Sequence, residues 1–228
     1  MTKPRQGAHN RARIVGVVGS SGTGKGCYIK TEFLPSCTGP VMVWSPLETS
    51  DNYGDVLGVK ATASIPEIIE AWRAGSSSVY CPPTNPKLIA SRFDLFCRAV
   101  WHMTGATVVV EELSRVTTPS YAPPSWKNLS TAGRHQGLTL VGVCQRPSQV
   151  DKDFFGNCTE IRCFRVNYEN DAKTMAQVLR IKPGELLELP DLHYMHRMLA
   201  SRENSAGVLA PPQIKRAPPG RQKTAKQG

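Results

Sequence analysis

The chain has 228 residues, a net charge of +10, 40% hydrophobic residues, 18 prolines and 19 glycines, and an isoelectric point near 9.4. That length suits one α/β domain with a real core, and the basic balance favours a polyanionic partner, nucleic acid or an anionic membrane surface. The seven cysteines are odd in number and scattered without a CxxC pair, which supports neither a disulfide framework nor a zinc site. Reduced, intracellular conditions are therefore expected. Residues Met1 to Arg5 carry no apolar leader, and no apolar run approaches the length of a membrane span.

In chain order, residues 1–12 hold Lys3, Arg5 and Arg11 with no acid and read as a flexible basic arm. Ile14 to Val18 is an apolar run, the look of a short buried strand. It feeds the glycine-rich turn Gly19-Ser20-Ser21-Gly22-Thr23-Gly24-Lys25-Gly26, after which Tyr28, Ile29, Phe33 and Leu34 repeat at helical spacing. Strand, glycine loop and helix in that order form the setting of a phosphate-binding P-loop. Its glycines let backbone N–H groups turn toward an anion, and the helix start adds positive potential. Gly19, Ser20, Ser21, Gly22, Thr23, Gly24, Lys25, Gly26 and Cys27 are thus the candidate nucleotide-binding residues, with Lys25 reaching the β- and γ-phosphates. One position departs from the motif: Gly26 stands where a Ser or Thr hydroxyl would bind Mg²⁺.

Residues 40–46 predict a second strand and 51–54 a loop. A helix is expected over 65–74, behind the N-cap Ser64 with Pro66 and Glu67 in its first turn. A third strand is expected at 78–81, a long helix from 86 to about 103, and a central parallel strand at 107–110, where every residue is β-branched. A helix at 126–135, a buried strand at 138–144, an edge-like strand at 161–166 and a helix at 170–179 follow, with a further edge strand at 193–199. Strand and helix alternation predicts an α/β fold, a mostly parallel central sheet with helices on both faces. The domain is expected to span 13–200, and 201–228, rich in proline, glycine and basic residues, reads as a disordered tail.

Two further blocks carry chemistry. Val108-Val109-Val110-Glu111-Glu112 is an apolar strand ending in two acids, and ligands in such sheets sit at the carboxyl ends of strands. Glu111 is the candidate metal ligand, toward Mg²⁺ on the phosphates, and Glu112 the residue that orients or deprotonates the attacking water. Leu140 to Cys144 is a second apolar strand, ending in Gln145, whose neutral amide suits a sensor of the γ-phosphate. Arg134, in Gly133-Arg134-His135-Gln136-Gly137, is the candidate cation for charge on a transferring phosphoryl group, supplied to a neighbouring subunit; Arg146, Arg162 and Arg165 are rivals.

Glycine loop, VVVEE, GRHQGLTLVGVCQRPSQVDKDFFGNC and IRCFRVNYENDAKTM, in that order, resemble the FtsK/HerA superfamily of P-loop ATPases. Within that superfamily they resemble the genome-packaging ATPases of tectivirus-type internal-membrane phages. The resemblance covers residues 13–180 and implies a three-layer RecA-like (ASCE) fold with a five-stranded core. It also implies ATP and Mg²⁺ as cofactors, a homo-oligomeric ring with ATP at subunit interfaces, and double-stranded DNA passing through the centre. Partners at the portal vertex or in a viral membrane, and a place at the virion packaging vertex or in the host cytoplasm, go with it. No sequence-reading module is recognisable, so contacts to DNA are expected on its backbone. A conjugation or phage-export ATPase of the same superfamily, or a catalytically weak nucleotide-gated DNA-binding or assembly protein, is the alternative.

Overall fold

The computed structural model describes residues 13–211. The expected arm at 1–12 and the tail from 212 onward lie outside the described residues. Strands β1 (Ile14–Val18), β2 (Val41–Trp44), β3 (Ser78–Tyr80), β4 (Thr107–Val110), β5 (Thr139–Cys144), β6 (Glu160–Phe164), β7 (His193–Met198) and β8 (Glu203–Val208) form one sheet. Their order is β3-β2-β4-β5-β1-β6-β7-β8. The first six are mutually parallel, and β7 and β8 add an antiparallel hairpin to the β6 edge.

Alternation along each strand divides the core in two. Met42, Trp44, Val108, Val110, Leu140 and Cys144 face one layer, and Val15, Val17, Val43, Val109, Val141 and Val143 the other. The first layer receives α4 (Ile65–Arg73), α5 (Pro86–Val100), α6 (Pro124–Ala132), α7 (Lys152–Asn157) and α8 (Glu169–Leu179). Helix α4 starts as its sequence requires, with the Ser64 hydroxyl accepting from the Glu67 N–H at 3.4 Å. Trp44 anchors this side, stacked on Tyr80 at 5.5 Å and meeting the edge of Phe93 at 5.0 Å. Such pairs contribute about 0.5–1.5 kcal/mol beyond their burial. The opposite layer is filled by the helical segment after the glycine loop, α1 (Lys25–Tyr28) continuing through Ile29–Phe33 and Leu34–Ser36, and by Tyr53.

Several expectations are corrected. The resemblance implied five core strands; six are parallel here, and the hairpin brings the described sheet to eight. Residues 161–166 alternated like an edge strand, yet β6 is interior. Its polar Arg162 is tolerated because the guanidinium lies over the rings of Tyr28 and Tyr194, 3.8 and 4.1 Å from their centroids, and pairs with Glu32. The tail boundary moves outward: Glu203–Val208, counted as tail, is β8, held by its ladder to β7. Residues 51–54 are not open loop. Two short helices, α2 (Glu48–Asp51) and α3 (Tyr53–Leu57), meet there at Asn52, which takes the left-handed conformation with φ 55°. Helix α9 (Pro183–Leu187) also goes beyond the sequence reading.

Gly142, midway along β5, marks the closest packing between sheet and α7: a Cβ there would press on Phe154 and Leu113. Gly142→Ala should cost about 1–3 kcal/mol through overpacking, measured as a fall of several degrees in Tm. An unchanged Tm would mean that α7 yields freely.

Candidate nucleotide-binding and catalytic site

Register gathers the site. Val18 lies beside Cys144, Gly142 beside Val110, and Val110 beside Trp44, so Gly19, Gln145, Glu111 and Ser45 leave the sheet along one carboxyl-end rim. The glycine loop is tied to that rim by backbone. Gly19 N–H donates to the Cys144 carbonyl at 3.3 Å, and Ser20 N–H to the Arg165 carbonyl at 2.8 Å. Gly24, with φ 130°, packs so closely on Phe164 that a Cβ would lie 2.8 Å from the ring, and the Leu192 N–H donates to the Thr23 carbonyl at 2.9 Å. The N–H groups of Ser21, Gly22 and Gly24 find no acceptor among the described residues. That is the backbone arrangement an anion-binding loop needs.

Lys25 folds over this loop, its Nζ donating to the carbonyls of Gly19 at 2.6 Å and Ser20 at 2.9 Å. Burial holds its pKa below the usual lysine value, while Glu111, Cys144, Glu112 and Asp51 push it back up. Thr23 spends its hydroxyl on the Ser20 carbonyl at 2.8 Å, and the Ser20 hydroxyl accepts from the Asn167 N–H at 3.0 Å. Ser21 is exposed.

The two acids after β4 part company as the strand ends. Glu112 takes the left-handed conformation, φ 54°, uncommon for a residue with a side chain. Its carboxylate accepts from Gln145 Nε2 at 2.5 Å. Glu111 is buried and accepts from the Tyr53 hydroxyl. Its pKa is pushed up to about 7, first by burial and then by the neighbouring Asp51 and Glu112; the Tyr53 hydrogen bond and Lys25 oppose the shift. Asp51 is likewise raised, chiefly by burial, with Lys30 opposing, and it accepts from the Ser45 hydroxyl at 3.5 Å.

The residues fit a divalent cation carried on nucleotide phosphates. Glu111 and Asp51 are desolvated carboxylates whose ionised forms a nearby cation would favour, and Mg²⁺ is commonly held by one or two carboxylates with phosphates and water. Among the described residues no group of three His, Cys, Asp or Glu side chains forms a self-sufficient metal cage.

The structure thus brings together Gly19–Gly26, Glu111, Glu112 and Gln145. It does not bring Cys27 in by its side chain, whose Sγ lies 3.8 Å from Thr31 Oγ1 and 4.0 Å from the Ala210 carbonyl. Arg134 is exposed and precedes the start of β5, at the opposite end of the strand from Gln145, so it stands away from its own glycine loop. Its rivals are engaged: Arg146 with buried Asp171 at 2.7 Å, Arg162 with Glu32 at 3.1 Å and Arg165 with Asp191 at 2.8 Å. Sequence reading missed Ser45, Asp51 and Tyr53. The available signal was their place just beyond a β strand's carboxyl end, the rule already applied to Glu111.

Sheet order, layering and loop geometry define a RecA-like P-loop NTPase fold. Solved structures carry the same fold. The genome-packaging NTPase B204 from Sulfolobus turreted icosahedral virus 2, in complex with AMPPCP, matches with TM-score 0.70 and 16% identity, over 86% of this chain and 96% of that one. B204, the DNA-packaging ATPase from Sulfolobus turreted icosahedral virus, gives TM-score 0.63 and 14% identity over 85% and 96%. The bacterial conjugative coupling protein TrwBΔN70 gives TM-score 0.52 and 19% identity, over 66% of this chain and 44% of that one. These neighbours agree with the resemblance read from the motifs, and at such identities the likeness is one of fold. No protein-family model matches the sequence, and no curated protein matches it.

Glu111 gives the site a pH signature. Its folded pKa of about 7 stands above the ordinary 4.5, so its contribution to stability is complete below pH 4.5 and is lost as the pH rises through about 7. The gap corresponds to about 3 kcal/mol. Glu111→Gln keeps an acceptor for Tyr53 and removes the ionisation. Without nucleotide, denaturant melts should show the variant gaining about 3 kcal/mol on the wild type between pH 4.5 and 8. A stability difference that does not change with pH would contradict the raised pKa.

Proposed function

We propose that this protein hydrolyses ATP to move double-stranded DNA, as the genome-packaging motor of a virus with a preformed capsid. The observation that carries the reading is the hydrogen bond from Gln145 to Glu112 on the rim that also holds the glycine loop and Lys25. A carboxylate for the water and an amide that can feel the γ-phosphate are mechanically joined, so phosphate occupancy and water activation are coupled. The fold it shares with a genome-packaging NTPase supports the packaging form of the reading. The match to a conjugative coupling protein supports its alternative, export or conjugation, at lower structural similarity.

The chemistry follows from the positions. Phosphate oxygens entering the loop replace the Gly19 and Ser20 carbonyls as partners of the Lys25 ammonium, relieving part of its desolvation. Glu111 would hold Mg²⁺ together with the phosphates, and the ion would supply charge neutralisation to them. Glu112 orients the water and accepts its proton as the oxygen bonds to the γ-phosphorus and the bond to the β–γ bridging oxygen breaks. Products are ADP and inorganic phosphate. Gln145, released from or returned to Glu112, reports the difference.

The place of Arg134 away from its own glycine loop supports a reading in which it serves the nucleotide of a neighbouring subunit, in a homo-oligomeric ring with ATP at its interfaces. Attachment to a portal or viral membrane protein at the packaging vertex belongs to the same reading; among the described residues no helix is long and apolar enough to cross a membrane.

The deciding measurement is the ATPase rate with and without double-stranded DNA over a salt series. DNA-stimulated, salt-sensitive turnover is expected; nucleotide binding without turnover under every condition would favour the nucleotide-gated binder. Lys25→Ala should abolish turnover and weaken binding, whereas Glu112→Gln should bind ATP normally and lose at least about a hundredfold in kcat. Normal turnover in Glu112→Gln would remove it from the water's path.

Mixing tests the arginine. Arg134→Ala and Lys25→Ala subunits, each inactive alone, should regain activity together, because some interfaces then pair an intact Lys25 with an intact Arg134. Wild-type rates in Arg134→Ala alone would exclude the finger.

A further inference from the structure

At the end of the sheet away from the glycine loop, a cavity of about 720 Å³ opens between the start of α7, the end of α8 and the β7–β8 turn. Lys152, Arg180, Arg197 and Arg202 line it over a floor that includes Phe155 and Leu199, and no carboxylate is among its lining residues. The Leu199 N–H donates to the Thr159 carbonyl just before β6, which fixes the cavity at the amino end of that strand. Lys152, Arg180 and Arg202 are exposed, and among the described residues none of the four cations has an ion-pair partner.

Arg197 is the unusual member. Only 8% exposed, it uses Nη1 on the Leu179 carbonyl and on Asn204 Oδ1 at 2.8 Å, while its buried Nε has no acceptor. A buried guanidinium with a free donor and no counter-charge is costly, and an anion in the adjoining cavity supplies the counter-charge. Arg180 and Arg202 hold left-handed backbone, φ 60° and 61°, at the end of α8 and in the β7–β8 turn, and both line the opening.

We infer that this cavity binds the phosphodiester backbone of DNA. Four cations around one opening suit successive phosphates, each of which carries a single charge. The one aromatic ring in the lining, Phe155, is buried at 2% exposure and offers no platform for stacking bases, so the contact is to backbone. The inference rests on the DNA-binding part of the function proposed above and on none of its hydrolytic chemistry.

Arg180→Asn with Arg202→Asn is the informative variant, because asparagine tolerates left-handed backbone and leaves the buried Arg197 in place. Binding of a fluorescent DNA duplex of mixed sequence is followed by anisotropy over a salt series. Removing two phosphate contacts should lower the magnitude of the log–log salt slope by about 2 and weaken binding about tenfold or more at low salt. Affinity for a fluorescent ATP analogue and basal ATPase rate should stay at wild-type values. Lys152→Gln with Arg202→Asn should give the same displacement through a different element, and Lys60→Gln with Lys87→Gln, two exposed charges outside the cavity, should give none. If the wild type binds DNA and both cavity variants match it in slope and affinity, the assignment is overturned, and the cavity falls to another partner such as an acidic protein surface. Equal slope changes in cavity and control variants overturn it too, since net charge then explains the effect. Failure of the wild type to bind DNA at any salt overturns it together with the DNA-moving reading, while nucleotide hydrolysis in the same preparation would stand.

Discussion

Desolvated charge at the rim of a parallel sheet is the constraint on which the rest of the site depends. Lys25, Glu111 and Asp51 are each drawn out of water, and each is shifted toward its neutral form by that burial. Pairing among them is incomplete. Lys25 spends hydrogen bonds on two carbonyls of its own loop, and Glu111 takes a phenol as its hydrogen-bond partner. A rim arranged in this way has the most to gain from a ligand that brings phosphate oxygens to the lysine and a dication to the carboxylates in one step. Binding energy and site polarity thus arise from the same burial, and the two core layers that surround the rim create it.

Those layers also explain why so much was legible. Strands β1, β4 and β5 are covered on both faces, so they read as continuous apolar runs whatever the neighbouring helices do. Once a glycine loop follows one such run, the acids and the amide ending two others are placed on the same rim by parallel pairing alone, and Glu111, Glu112 and Gln145 were found that way. Where the sequence misled, local pattern and tertiary cover had separated. Residues 203–208 alternate little and are largely exposed, and only the ladder to β7 makes them a strand. Helices α2 and α3 are too short to express a period, so Asp51 and Tyr53 passed as loop. Arg162 gave β6 the look of an edge because its cover, Tyr28 and Tyr194, comes from distant sequence.

The two ends of the sheet differ in the charges they carry. At the carboxyl ends stand the desolvated Lys25, Glu111 and Asp51. At the β6 amino end lie cations without an ion-pair partner among the described residues, and Arg134 occupies the corresponding end of β5. The strands between are doubly covered and about five residues long, and helices beside them reach from one end toward the other. Helix α8 is such an element: Asp171 in its first turn holds Arg146 and Ser148, next to Gln145, and Leu179 in its last turn accepts from Arg197. A contact change at Gln145 has a short covalent and hydrogen-bonded route to the cationic cavity.

Gly26 is the remaining departure, and its surroundings say what kind of departure it is. A Cβ there would find only Lys30 Nζ, at 3.9 Å, so packing does not demand glycine. Lys30 in turn lies over the ring of Tyr53 at 5.1 Å, and Tyr53 bonds Glu111. An ammonium therefore stands beside the place where a hydroxyl ligand would sit. In the proposed ATPase, a cation bound to the phosphates would meet Lys30 as well as Lys25 nearby and would gain no side-chain oxygen from Gly26. Its retention would depend on the charge of the phosphates and on Glu111 more than in a loop ending in Ser or Thr. In the proposed ATPase, metal affinity would then be tied closely to the phosphates present and would fall when the γ-phosphate leaves.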